Sequence, residues 1–151
     1  MYNKKTMNIS HTKHCIVAHF KSGKLLKGYT DDFIPAQETF HLRSTYGRGK
    51  ENTYEVRTND LKALFFVKTL EGNKDYVEKK HFSDVDSRNR RGIKIKAEFT
   101  DGEIIRGTSF DYGKNFRGFY IMPVDPLSNN EKVYVIADST RHIAIGQAAD
   151  V

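Results

Sequence analysis

Residues 16–67 and 95–146 align without a gap at a constant offset of 79 positions. Ile16 meets Ile95, Ala18 meets Ala97, Phe20 meets Phe99, and Gly23 and Gly28 meet Gly102 and Gly107. Asp32, Phe40 and Val56 meet Asp111, Phe119 and Val135, giving eight identities over 52 positions. Conservative matches join them, with Leu25 and Leu26 on Ile104 and Ile105, Leu42 on Ile121, and Leu64 on Ile143. The matches fall on one parity of each apparent strand and on turn glycines. A β-strand sends alternate side chains to opposite faces, so a parity-respecting match is the mark of a repeated β-unit. The pattern is read as a tandem duplication.

Each copy divides into five short strands. The first is expected to place them at Ile16–Phe20, Lys24–Thr30, Thr39–Arg43, Tyr54–Thr58 and Leu61–Val67. The second is expected to place them at Ile93–Phe99, Glu103–Ser109, Gly118–Met122, Lys132–Ala137 and Thr140–Ile145. Ser22-Gly23 and Asp101-Gly102 supply tight hairpin turns. Gly28 and Gly107 fall inside second strands, where glycine marks a bend that lets a short sheet curl. No window carries a helical apolar stripe. The expected fold is therefore all-β, with two tandem five-stranded small barrels. Its divisions are a basic tail (1–14), copy 1 (15–67), a polar linker (68–92), copy 2 (93–147) and a short tail (148–151). Inward positions are expected to include Phe20, Leu64, Phe66, Phe99, Ile143 and Ile145, whereas Phe65, Tyr112, Phe116 and Tyr120 are harder to bury.

The 151-residue chain carries a net charge of +6. The tail, copy 1 and the linker region hold the excess, while copy 2 is slightly acidic. Arg88-Asn89-Arg90-Arg91 is the one dense basic run. It reads either as solvated linker or as a phosphate-binding patch. His11, His14 and Cys15 resemble half of a metal site, but no second cysteine cluster completes four ligands, so no metal is expected. The lone cysteine fits a reducing compartment, and with no secretory leader or membrane span expected, a cytoplasmic location is anticipated. Gly47-Arg48-Gly49-Lys50 lacks the following helix of a phosphate loop and reads as a hairpin loop. No catalytic constellation is evident, so neither an enzyme nor a cofactor is expected.

At Asp101-Gly102-Glu103-Ile104-Ile105-Arg106-Gly107 the second copy resembles the opening of Sm-like barrels, and Ser22-Gly23-Lys24-Leu25-Leu26-Lys27-Gly28 repeats it. That resemblance, over about 25 residues per copy, implies five-stranded SH3-like barrels that often form rings and bind RNA. The family's loop Asp and Asn and its second motif have no match here. The run from Gly118 to Asn130, with Phe65–Asn73 and Tyr76, is similar to an uncharacterised bacterial family across most of 16–146. That likeness implies no established activity. The cyclic-dinucleotide-binding PilZ domains are disfavoured, because Arg88, Arg90 and Arg91 have the wrong spacing.

The function anticipated from these features is a non-enzymatic binding or regulatory module for an unknown ligand. The alternative is an Sm-like RNA- or DNA-binding protein that uses the basic linker and exposed aromatics. Candidate binding residues are Tyr112 and Arg117, then Asp125, Ser128, Asn129 and Asn130 in a loop that copy 1 lacks, then Arg88, Arg90 and Arg91. The polar run from Asp125 also reads as a self-bonded turn. The anticipated partner is a protein or a nucleic acid, not a membrane. Self-association through barrel edge strands is a further option.

Overall fold

A computed structural model describes residues 13–44, 52–86 and 90–151. The first copy supplies β1 (His14–Phe20), β2 (Leu25–Thr30), β3 (Thr39–Ser44), β4 (Asn52–Arg57) and β5 (Leu61–Val67). The second supplies β6 (Ile93–Phe99), β7 (Ile104–Ser109), β8 (Gly118–Pro123), β9 (Asn130–Ile136) and β10 (Thr140–Ile145). A 3-10 turn joins β4 to β5 at Thr58–Asp60, and another joins β9 to β10 at Ala137–Ser139. The fold is all-β, and its ten strands make one open antiparallel sheet ordered β10-β6-β7-β8-β9-β5-β1-β2-β3-β4. The two copies share this sheet because β5 pairs with β9, with Leu64 opposite Tyr134 and Phe65 opposite Val133.

Pairings recur at the sequence offset. Ile16 lies opposite Gly28 and Ile95 opposite Gly107, while Phe40 faces Val56 and Phe119 faces Val135. Gly28 and Gly107 each let another strand's backbone come close. A β-carbon on Gly28 would stand 2.2 Å from the Arg43 carbonyl oxygen, and one on Gly107 would stand 2.0 Å from that of Met122. These contacts, more than any bend, explain why only glycine fits. A carboxylate clamp recurs as well. Asp32 accepts bonds from the Thr30 hydroxyl and the His41 amide, and Asp111 does the same for the Ser109 hydroxyl and the Tyr120 amide. The next residue stacks edge-on to a third-strand ring in both copies, Phe33 on Phe40 at 5.0 Å and Tyr112 on Phe119 at 4.9 Å.

The joint between the copies creates two cores. Ile16, Ala18, Phe40, Leu42, Val56, Leu64 and Phe66 form one, completed by Tyr134 and Ile136 from the second copy. Ile95, Ala97, Phe99, Phe119, Ile121, Val133 and Val135 form the other, completed by Val17, Ala63, Phe65 and Val67 from the first. Adjacent residues in a strand point to opposite faces. The cores therefore lie on opposite faces of β1, β5 and β9, and these central strands are buried on both sides. This is why Phe65, expected to be hard to bury, is only 4% exposed.

One inward assignment is met in part, since Phe20 packs against the first core without being fully buried, and another needs correction. The pairing of β1 with β5 shifts register between His19 and Phe20, which leaves Phe20 half-buried where its counterpart Phe99 is fully buried. At the sheet's end Ile145 is 51% exposed, and Ala144 is buried in its place, beside the final 3-10 segment Gly146–Asp150.

The Tyr134 hydroxyl is buried with no hydrogen-bond partner among the described residues. Its ring packs edge-on with Phe33 and Tyr120 at 5.5 and 4.9 Å. Tyr134→Phe is expected to raise stability by about 1 kcal/mol, because it removes a desolvated, unsatisfied group while keeping the ring. Urea denaturation would show it, and a loss of stability would mean that the hydroxyl has a partner.

Candidate functional site

Residues 68–86 lie against the second copy. Asp125, only 3% exposed, accepts bonds from the Tyr76 hydroxyl at 2.5 Å, the Lys79 amide at 2.9 Å and the Leu127 amide at 2.9 Å. Ser128, fully buried, donates to Glu78 at 2.8 Å. Asn129 accepts from the Thr69 amide and returns its own amide to the Thr69 carbonyl. Arg90 donates to the carbonyls of Pro123 and Val124. Beneath this strap Phe82 and Val85 pack with Val124 and Ala149. Burial alone would raise the Asp125 pKa. The bonds from Lys79, Tyr76 and Leu127 outweigh it, and the carboxyl titrates below its ordinary value. The same bond pushes the Tyr76 pKa up to about 12.

This arrangement explains the polar run that stood out in the sequence. Asp125, Ser128 and Asn129 are committed to the chain's own strap. Asn130 opens β9, and its amide bonds to the Ser128 hydroxyl. The strap also binds through the Phe65–Asn73 stretch, since the Lys68 amide meets the Asn129 carbonyl at 2.9 Å. Sequence reading placed both stretches in one family pattern but had no signal that they touch each other. Arg88 lies outside the described residues, as do His11 and Gly47–Lys50. Arg91 is exposed, while Arg90 is tied to backbone carbonyls. The described part of the basic run thus divides between a structural arginine, Arg90, and an exposed one, Arg91.

A second surface is built by the loop between β7 and β8. Asp111 pins its start, Tyr112 rests on Phe119, and the Arg117 amide bonds to the Asn115 side chain. Arg117 then crosses between copies, donating to the Gln37 carbonyl at 2.6 Å and more weakly to that of Pro35. Phe116, beside it, is 93% exposed, and Phe110 is 57% exposed. Ile34, on the loop that Arg117 grips, is also exposed. Tyr112 and Arg117, both expected as binding residues, thus fall in one place, apart from the strapped turn.

The model of a family of unknown function, DUF6982, matches residues 12–146. The chain belongs to the DUF6982 family. Searches of the curated proteins and of the solved structures returned no match.

The remaining polar cluster of this DUF6982 chain sits at the seam between copies, in a pocket of about 260 Å³. Lys62 bonds to Asp101 at 2.7 Å and to Glu103. Burial would lower the Lys62 pKa, but the two carboxylates outweigh it and raise it. His19 stacks on Phe65 at 4.2 Å, and burial pushes its pKa down, which keeps the imidazole neutral. Each cation at the seam is already matched, Lys21 by Asp138 among them. Among the described residues no group of three or more His, Cys, Asp or Glu side chains is arranged to hold a metal. No helix among them is long and apolar enough to cross a membrane.

Proposed function

We propose that this DUF6982 chain is a non-enzymatic binding module that engages a partner protein through the loop at residues 109–117. The observation that carries the reading is Phe116, nearly fully exposed on a loop fixed at both ends. An exposed aromatic held in place forfeits little entropy when it enters a partner's pocket, which is how interface anchors gain their energy. Strand order supports reading each half as a duplicated Sm-like or SH3-like barrel. Its fifth strand pairs with its first, and a 3-10 turn precedes that strand. The lone cysteine supports a cytoplasmic setting. A second reading, nucleic-acid binding, draws on Phe116 with Lys114 and Arg117 nearby, since aromatics stack bases and cations meet phosphates.

Phe116→Ala is expected to change stability by no more than about 0.5 kcal/mol, because the ring touches almost nothing. The same substitution is expected to abolish capture of the partner in an affinity pull-down. Unchanged capture sinks the loop as the docking surface. Capture of RNA or DNA that falls steeply between about 50 and 200 mM salt would favour the second reading.

A further inference from the structure

The two halves of β7 differ in how they are paired. Strand β8 covers β7 only at Gly107 and Thr108, opposite Pro123 and Met122. Within an antiparallel strand the N–H and C=O of one residue point the same way, and the direction alternates along the chain. The Glu103 carbonyl accepts the Phe99 amide and so faces β6, whereas the Arg106 carbonyl accepts the Val124 amide and faces away. Ile104 shares the parity of Arg106. Its N–H and C=O therefore point to the side from which β8 has already departed, and Ile104 is exposed. Across the gap runs the strap at residues 78–80, and Phe65, Ile105 and Val133 help to line the space between. That space measures about 100 Å³, the scale of one aliphatic side chain.

Charge at the slot is net positive: Glu103 pairs with Lys62, and Lys79, Lys80 and Arg106 stand against Glu78, whose carboxylate accepts a bond from the neutral Ser128 hydroxyl. Lys79 and Lys80 are exposed and form no ion pair among the described residues. A short strand edge whose donor and acceptor have no partner among the described residues, an apolar gap beside it and two exposed cations opposite match one kind of guest. We propose that this slot binds an extended, acidic peptide segment of a partner protein, which adds a short strand to the edge of β7. The guest's backbone bonds to Ile104, one aliphatic side chain enters the gap, and its carboxylates face Lys79 and Lys80. The site is separate from the aromatic loop and stands or falls without it.

The test uses the full chain and two capped pentapeptides, one alternating glutamate with valine and one alternating lysine with valine. Amide hydrogen exchange by NMR is expected to show Ile104 exchanging freely in the unliganded protein. The glutamate peptide should slow that exchange at least about tenfold, and the lysine peptide should not. Lys79→Gln with Lys80→Gln, which remove both charges without setting a new carboxylate beside Asp125, should weaken the glutamate peptide by about tenfold. An Ile104 amide already protected in the free protein would overturn the proposal. So would peptide binding that leaves Ile104 unprotected, or no binding at about millimolar peptide. A mixed single-stranded oligonucleotide that protects Ile104 as well as the glutamate peptide does would overturn it in favour of nucleic acid.

Discussion

Phe99→Ala is expected to lower the stability of the whole sheet by about 3–5 kcal/mol, in one cooperative transition. Phe99 is fully buried in the core made by the second copy, and that core includes Ala63, Phe65 and Val67 from the first. Those residues alternate along β5 with Leu64 and Phe66, which serve the other core. A cavity on one face thus loosens the strand that carries the opposite face. Differential scanning calorimetry should show a single peak moved to lower temperature, and two resolved peaks would refute the shared-strand account. Phe20→Ala should cost clearly less, because the register shift leaves that ring half-buried.

Asp125→Ala is expected to cost about 3 kcal/mol. It removes a buried acceptor from the Tyr76 hydroxyl and from the Lys79 and Leu127 amides at once. Hydrogen exchange at Lys79 should accelerate as the strap loosens, and a change under about 1 kcal/mol would show the strap to be ornamental. The pH dependence has a definite sign. The Asp125 carboxyl titrates lower in the folded chain than in the unfolded one. Its stabilisation is complete above the ordinary carboxylate pKa and is lost as the pH falls through the lowered folded value. The alanine variant should lack that part of the acid sensitivity.

Local structure was legible in the sequence wherever one strand's own pattern decides it. Ile95, Ala97 and Phe99 alternate with Lys94, Lys96 and Glu98, and strands of this kind follow from such runs and from turns such as Asp101-Gly102. Phe65 was not legible, because its burial depends on β9 arriving from the other copy. A run such as Leu64-Phe65-Phe66-Val67 has no alternation, which is the signature of a strand buried on both faces. Read that way, it would have announced the joint. The polar run from Asp125 to Asn130 was legible as turn chemistry, yet its true partners, Tyr76 and Thr69, lie more than a whole strand away. No periodicity encodes a contact of that range. Phe116 was visible only as an aromatic without a parity to bury it, and the fold gives it a pinned loop to stand on.

The sheet's joint also constrains how such a chain can change over generations. A duplicated unit is ordinarily free to be lost, shuffled or fused elsewhere, because each copy closes its own interior. Here Tyr134 and Ile136 fill a space belonging to the first half, and Phe65 and Val67 fill one belonging to the second. Removing either half would lay bare a greasy wall that was never meant to meet water. The outermost strands tell the opposite story: β4 shows solvent Glu55 and Arg57, and β10 shows Arg141 and His142. Charged rims discourage a third unit from joining. The shared cores thus tie the two halves together at one border while charged rims close the other two, and either half alone is expected to be unstable.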